Sequence, residues 1–428
     1  MSIGTDIAAA APAASALDAG AIAAISARDD EPGWLRDLRA GWWQRVEDTP
    51  WPTGQEEEWR RTSLLDLPRD AAVLTQPPAA AHDLDPRLAE AGVVFADLRE
   101  AVRSHPDLVR RFIGRRETLP VHTRTWALAH AAWTGGTFLY VPAGVTVDST
   151  LVVHNRLPAG AAAWFPLTLV VAEEGSDVSL LEEVSGPDGQ ASWYGGVLDL
   201  VTAQGARVRY ANLQRLGDGT WNIGAKRVEV GQDAVVTTLD AQVGSSVTKV
   251  GLDVRMAGKG GTSRLLGLLA AGEKQHIDID SVQDLIASHT TSDLLYLSAL
   301  YDEARAAFYG VTRVEREAKG TSSYQECRNL LLSPHAGAEP IPVLEIETND
   351  ILRCGHGATA GAIDPVQRFY AQTRGLTADE AERMIVRGFF EQVVSQVNSE
   401  TIRQRVLSAL APRIGVSEDD LLTGGVAA

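Results

Sequence analysis

Cys354 and His356 are the residues of this chain whose types and spacing could do chemistry. The 428 residues include only two cysteines, and Cys354 is followed two positions on by a histidine, in Cys354-Gly355-His356-Gly357-Ala358-Thr359. The alternating apolar segment from Pro342 to Leu352 runs toward the motif and predicts a strand leading into it. Side chains at i and i+2 of a strand share one face, so the thiol and the imidazole stand side by side. That pairing suits a soft or borderline metal. Gly355 and Gly357 leave room for a ligand to approach the backbone. An inert buried thiol beside a hydrogen-bonded imidazole is the plainer arrangement of the same residues. Two ligands do not close a site, since structural zinc takes four and iron–sulfur clusters usually take four from protein. Whatever binds here must borrow ligands from another chain or a small molecule, which points to an interface.

Cys327 precedes Cys354 by the same interval that separates Gly231 from Gly258. If the strands repeat at that interval, the two thiols occupy neighbouring strands about 5 Å apart; a core cysteine is the alternative. Gln275-His276-Ile277-Asp278-Ile279-Asp280, with His289 beyond, has the alternation of strand-borne metal ligands or paired carboxylates. The polar outer face of a half-buried strand shows the same pattern. Gly267-Leu268-Leu269-Ala270-Ala271-Gly272-Glu273-Lys274 has the glycine spacing of a phosphate loop, but Glu273 stands where lysine is required. Neither a G-x-S-x-G elbow nor an H-E-x-x-H pair occurs. These patterns do not describe an ATPase, a dehydrogenase or a hydrolase of those classes, and no nucleotide is expected on this chain.

Composition narrows the class further. With 39 basic and 56 acidic residues the formal charge is −17, the wrong sign for binding nucleic acid. Two cysteines cannot staple a chain this long, so a reducing, cytoplasmic setting is expected. Met1 to Ala24 lacks the positive start of a secretory signal, and no apolar run approaches the roughly 20 residues that span a bilayer. Residues 1–30, rich in alanine, are expected to be disordered or a frayed helix.

Residues 31–119 read as an N-terminal helical domain. Trp34, Leu35, Leu38, Trp42 and Trp43 fall at helical spacing, and Glu57-Glu58-Trp59-Arg60 is a charged stretch with one aromatic anchor. All ten tryptophans lie at or before Trp221. From about 120 to 360 the period is two, in short strands such as Leu167–Val171, Val197–Val201 and Val235–Leu239. Turn glycines at Gly144, Gly175, Gly205, Gly231 and Gly258 recur at a near-constant interval. A degenerate repeat of that size without intervening helices predicts stacked β-rungs, a solenoid; a sandwich with irregular spacing is the alternative. Residues 361–428 return to helix, opening on a capping box at Thr377-Ala378-Asp379-Glu380, with Ala381, Met384, Ile385, Gly388, Phe389 and Val393 as an apolar stripe.

In order along the chain come Gln275-His276-Ile277-Asp278 with His289 and Ser292, then Phe308-Tyr309-Gly310, Gln325 and Asn329-Leu330-Leu331-Leu332-Ser333. Pro342-Val343-Leu344-Glu345-Ile346 and the Cys354 motif follow, then Phe369-Tyr370, Arg374-Gly375 and Gly388-Phe389. This ordered set, over about 275–394, resembles the SufB/SufD family of iron–sulfur cluster assembly proteins. Glu57-Glu58-Trp59-Arg60 with Thr62 and Leu64 resembles that family's N-terminal segment. The Cys354 motif is similar to the SufD form; SufB has Glu-His-Glu-Ala-Thr there, and a cysteine where this chain reads Ser333 to Ala338. Cys327 ahead of the Leu-Leu segment is more SufB-like, so a SufB-like paralogue is the runner-up within the family.

The resemblance implies a mainly β fold, a right-handed parallel β-helix core flanked by N-terminal and C-terminal α-helical domains. It implies a non-catalytic scaffold in a complex with SufB and the ATPase SufC, holding a nascent iron–sulfur cluster at the SufB interface. His356 and Cys354 are the implied ligands, with Cys327 weaker. SufC is implied to dock near residues 364–410, through Phe369, Tyr370, Arg374, Met384, Ile385, Gly388 and Phe389. Flavin binding and a homodimer stay open. A reading from a different class is a stand-alone β-helix enzyme acting on carbohydrate through Asp278 and Asp280.

Overall fold

The computed structural model describes residues 17–69, 73–114 and 123–415. A parallel β-solenoid of about eight turns forms its centre, with helices at both ends of the chain. Two sheets face each other across the lumen. The larger runs from Gly337–Ile346 at its outer edge through Arg305–Val314, His276–Leu285, Val247–Met256 and Thr220–Val230 back to Gly136–Val141. The smaller runs from Ile351–Gly361 through Thr321–Leu331, Thr291–Leu300 and Thr262–Ala271 back to Leu151–Arg156.

Neighbouring strands along each stack are in parallel register, but the length of chain per rung varies. Trp221 pairs with Val247 on a short rung, and Arg305 pairs with Gly337 on a longer one. That variation blurs the glycine period. Gly175 shows why glycine marks the corners: its φ is +64°, and its N–H donates to Gln204 O of the next rung. At Gly258 the reason is contact, because a Cβ there would lie 1.9 Å from Gln232 N.

Alternation sorts side chains into lumen and exterior. In Thr321–Leu331 every second residue from Thr321 to Asn329 is buried and faces inward. The lumen is filled by Val178, Leu180, Val236, Leu265, Leu294, Tyr296 and Phe308, among others. Burying such side chains stabilises each rung by about 1.5–3 kcal/mol per residue, while the turns stay at the surface.

The tryptophans build a second core, in which Trp42, Trp59, Trp126, Trp133 and Trp193 join the N-terminal helices to the first rungs of the larger sheet. Helices Gly33–Asp48 and Thr123–Ala132 pack together there, before the first solenoid strand at Gly136–Val141. Arg39, buried in that contact, pairs with Glu31 at 2.7 Å and donates to Ala131 O at 2.7 Å. Of the N-terminal tail, residues 1–16 lie outside the described residues, and Ala19–Arg28 is a helix capped by Asp18.

At the other end, helices Ala378–Val394 and Glu400–Ile414 lie on the outer face of the smaller sheet, where Val386, Phe390, Val393, Val406 and Leu410 meet Leu239, Leu266, Leu268 and Leu297. The Thr377/Glu380 capping box is formed. The buried stripe is rotated from the expected one: Ala381, Val386, Phe390 and Val393 face inward, Ile385 and Phe389 are half-buried, and Met384 and Gly388 are exposed. Among the described residues no helix is long and apolar enough to cross a membrane.

Candidate functional site

Ile351–Gly361 and Gly337–Ile346 are the last strands of their sheets, each paired on one side only. The C-terminal helices Ala378–Val394 and Glu400–Ile414 pack on a sheet face. Residues of both strands are exposed or half-buried, where the matching strands one rung back are largely buried. Among the described residues the solenoid therefore ends in an open mouth with two unpaired parallel edges.

Cys354 and His356 sit on that rim. Their register partners are Ser323 and Gln325, both buried and lumen-facing, so thiol and imidazole share one face and point inward at the mouth. Cys354 packs against the lumen core and is half-buried, while His356 is exposed. Burial pushes the Cys354 thiol above its ordinary pKa. Gly355 and Gly357 also have a packing role. They face outward beneath Tyr324, whose hydroxyl would lie 3.1 Å from a Cβ at Gly357, and Arg353 stacks on the same ring at 4.3 Å. Gly357 thus makes room for an aromatic ring on the outer face, while a Cβ at Gly355 would meet the ring at an ordinary 3.5 Å.

Cys327 is not a neighbour of Cys354. It pairs with Ala358, and Cys354 with Ser323, because the last rung is longer than the interval between the cysteines and carries a bulge beside Thr321/Ser322. The thiols thus stand four positions out of register, about 13 Å apart along the strand. Cys327 lies in the lumen core, and burial pushes its pKa up to about 12. The folded chain keeps that proton where the unfolded chain releases it, so stability falls as pH rises from the ordinary thiol value toward 12. Treating the folded chain with iodoacetamide at about pH 8, near the ordinary thiol pKa, should label Cys354 alone, faster as pH rises. Peptide mapping checks this; equal labelling of Cys327 without unfolding would contradict the register.

His276, Asp278 and Asp280 occupy the outer face of the larger sheet under the Glu57–Trp59 segment. Lys249, fully buried, lies 2.9 Å from Asp278 Oδ2 and 2.6 Å from Asp280 Oδ2, donates to Glu58 O, and sits 5.5 Å from the Trp59 ring centroid. Thr62 Oγ1 donates to Asp278 Oδ2 at 2.5 Å and is 2.9 Å from His276 Nε2. A hydroxyl has one proton, so Nε2 is the donor in that second bond. Burial depresses the His276 pKa, which keeps this ring neutral. Acids held this way act as a clamp for the N-terminal segment and not as a pair with divided acid and nucleophile roles. His289 is at the corner between His276–Leu285 and Thr291–Leu300, with φ +60°.

Two participants carry little signal in the sequence. Lys249 reads as an ordinary solvent-side lysine, and only the docked segment reveals its burial. Gln325 stands among the motif residues without a role, and its carboxamide proves to be fully buried with both polar atoms unpartnered. Among the described residues no group of three or more His, Cys, Asp or Glu could hold a metal ion. The rim by itself presents one thiol and one imidazole.

On the C-terminal helices the aromatic pair Phe369 and Tyr370 is 67% and 60% exposed, on helix Pro365–Thr373. Arg374 is exposed beside them and donates to Tyr370 Oη at 2.9 Å.

Comparison with known proteins matches residues 155–389 to the family model described as SUF system FeS cluster assembly, SufBD core domain. The chain is similar to an iron–sulfur cluster assembly SufBD family protein of Staphylococcus epidermidis, 28% identical over 74% of this chain and 68% of that protein. It is likewise similar to counterparts in Staphylococcus saprophyticus, at 28%, and Staphylococcus aureus, at 27%, with the same coverage.

Proposed function

The chain belongs to the SufBD core family of the SUF iron–sulfur cluster assembly system, and from that membership we propose its particular part in the assembly. It is a SufD-like, non-catalytic scaffold subunit of a complex with SufB and the ATPase SufC. The observation that supports this reading best is the open end of the solenoid, where, among the described residues, two sheet edges lack partners and a thiol and an imidazole share one face of the rim. Unpaired edges invite pairing with another chain. A SufB-like partner stacked on this mouth would extend both sheets, enclose Cys354 and His356, and add the missing ligands. The nascent cluster is cargo, held at the junction until transfer.

SufC docks on the C-terminal helices through Phe369 and Tyr370, aromatic side chains of the kind that anchor interfaces, with Arg374 bonded to Tyr370 and Met384 exposed on the following helix. The helices behind them lie directly on the smaller sheet, so a movement of the ATPase reaches the solenoid through packed side chains.

The test is co-expression of the full chain with SufB-like and SufC-like partners, followed by anaerobic absorption spectroscopy. All three should co-purify and develop sulfur-to-iron charge-transfer bands, and the chain alone should develop none. Phe369→Asp should lose the ATPase, at least about tenfold in affinity for a buried aromatic anchor, with Tm unchanged. A cluster on the isolated chain, or a homodimer that excludes the SufB-like partner, would defeat the reading.

A further inference from the structure

Five glutamines are at least nine-tenths buried in the described structure: Gln214, Gln242, Gln275, Gln283 and Gln325. Four of them are satisfied at both ends of the carboxamide. Gln214 donates to Gly244 O and accepts from Leu216 N; Gln242 donates to Asp240 and accepts from Asn222. Gln275 donates to Ser245 O and accepts from Gly272 N; Gln283 donates to Ser292 and accepts from Thr312. Gln325 alone has neither its Nε2 nor its Oε1 paired.

Its position is as distinctive as its isolation. Gln325 is the register partner of His356, one strand below the rim, so the two Cα atoms are about 5 Å apart. Across the lumen its carboxamide rests against Gly310, where a Cβ would come within 2.8 Å of Cδ. Glycine at 310 thus leaves the space the amide occupies. Tyr296, one rung further back and also lumen-facing, has an unpaired hydroxyl. A buried amide with no partner is costly, and native interiors rarely retain one without a ligand or water to satisfy it.

We propose that Gln325 is a third ligand-binding group of the rim site, its carboxamide donating a hydrogen bond to an anionic sulfur (sulfide or thiolate) held between Cys354 and His356. This rests on the shared-site reading and adds to it the floor of the site. Hydrogen bonds to sulfur set the electronic properties of an iron–sulfur centre, and an outer partner of that kind also fixes its retention. With no hydrogen bond to lose inside the chain, the amide is free to serve the ligand.

The experiment compares Gln325→Met and His356→Ala with the unchanged chain, each as the full complex loaded anaerobically with ferrous iron and sulfide. Gln325→Met should melt at the same or a higher temperature. It should shift the charge-transfer bands and retain the cluster about tenfold or more less well. Unaltered bands and retention in Gln325→Met, beside a defective His356→Ala, would overturn the role of Gln325 and leave the shared site standing. A clear drop in Tm would overturn it in favour of a packing role. Normal retention in both variants would remove the rim site itself.

Discussion

His356→Ala is expected to abolish cluster maturation in the reconstituted complex while leaving the chain folded. The side chain is exposed on the last strand, and no hydrogen bond or ion pair of it is present among the described residues. Removing such a surface group changes stability by no more than about 0.5 kcal/mol, a shift of a degree or two in Tm. Its loss from the proposed cluster site is a different matter. Outer-shell partners of a metal ligand are worth about 10–100-fold in affinity, and a direct ligand should exceed that range. Cluster yield by anaerobic absorption and thermal melting of the same samples give the two readings together. Normal yield from His356→Ala would sink the assignment of the rim as the cluster site.

Lys249→Met should be the most destabilising single change near the site. The substitution keeps the length and apolar stem but removes the charge between Asp278 and Asp280, both buried. Breaking one side of a buried ion pair costs about 3–5 kcal/mol, because the remaining charge stays out of water without compensation. The Glu57–Trp59 segment would also lose the bond from Lys249 to Glu58 O and the cation over Trp59. Urea unfolding measures the loss, and limited proteolysis between Trp51 and Arg69 reports release of the segment. Adding Asp278→Asn and Asp280→Asn should recover much of the stability, since neutral partners no longer need the lysine. A loss below about 1 kcal/mol in the single variant would show that the clamp is solvated.

The stacked-strand architecture was legible because its causes are local. Alternation along Thr321–Leu331, glycine at the corners and the Thr377 capping box each follow from neighbouring residues. Membership of the SufBD family was legible for a related reason, since its motifs survive as an ordered string over the last rungs and the C-terminal helices. The pairing of Cys354 with His356 on one face needed only the strand period.

Register was not legible, because it sums the lengths of every corner. One rung longer than the glycine interval was enough to carry Cys327 from beside Cys354 to beneath Ala358. The rotated stripe on Ala378–Val394 has a similar origin: several faces of that helix are apolar, and which one is buried depends on the angle at which it meets the smaller sheet. His276 and Asp278 carried a strong motif signal whose physical content is a docking contact with Thr62, which is remote from them in the chain.

The sequence by itself thus determined the repeating strand, the inward and outward faces, the helical ends, and a thiol and imidazole placed together, all consequences of interactions within a few residues. Only the tertiary structure decided that, among the described residues, the last rung stands open, Lys249 is sealed beneath a distant segment, and one buried glutamine has no partner. Those properties depend on which surfaces meet across the fold, and no short-range pattern carries that information.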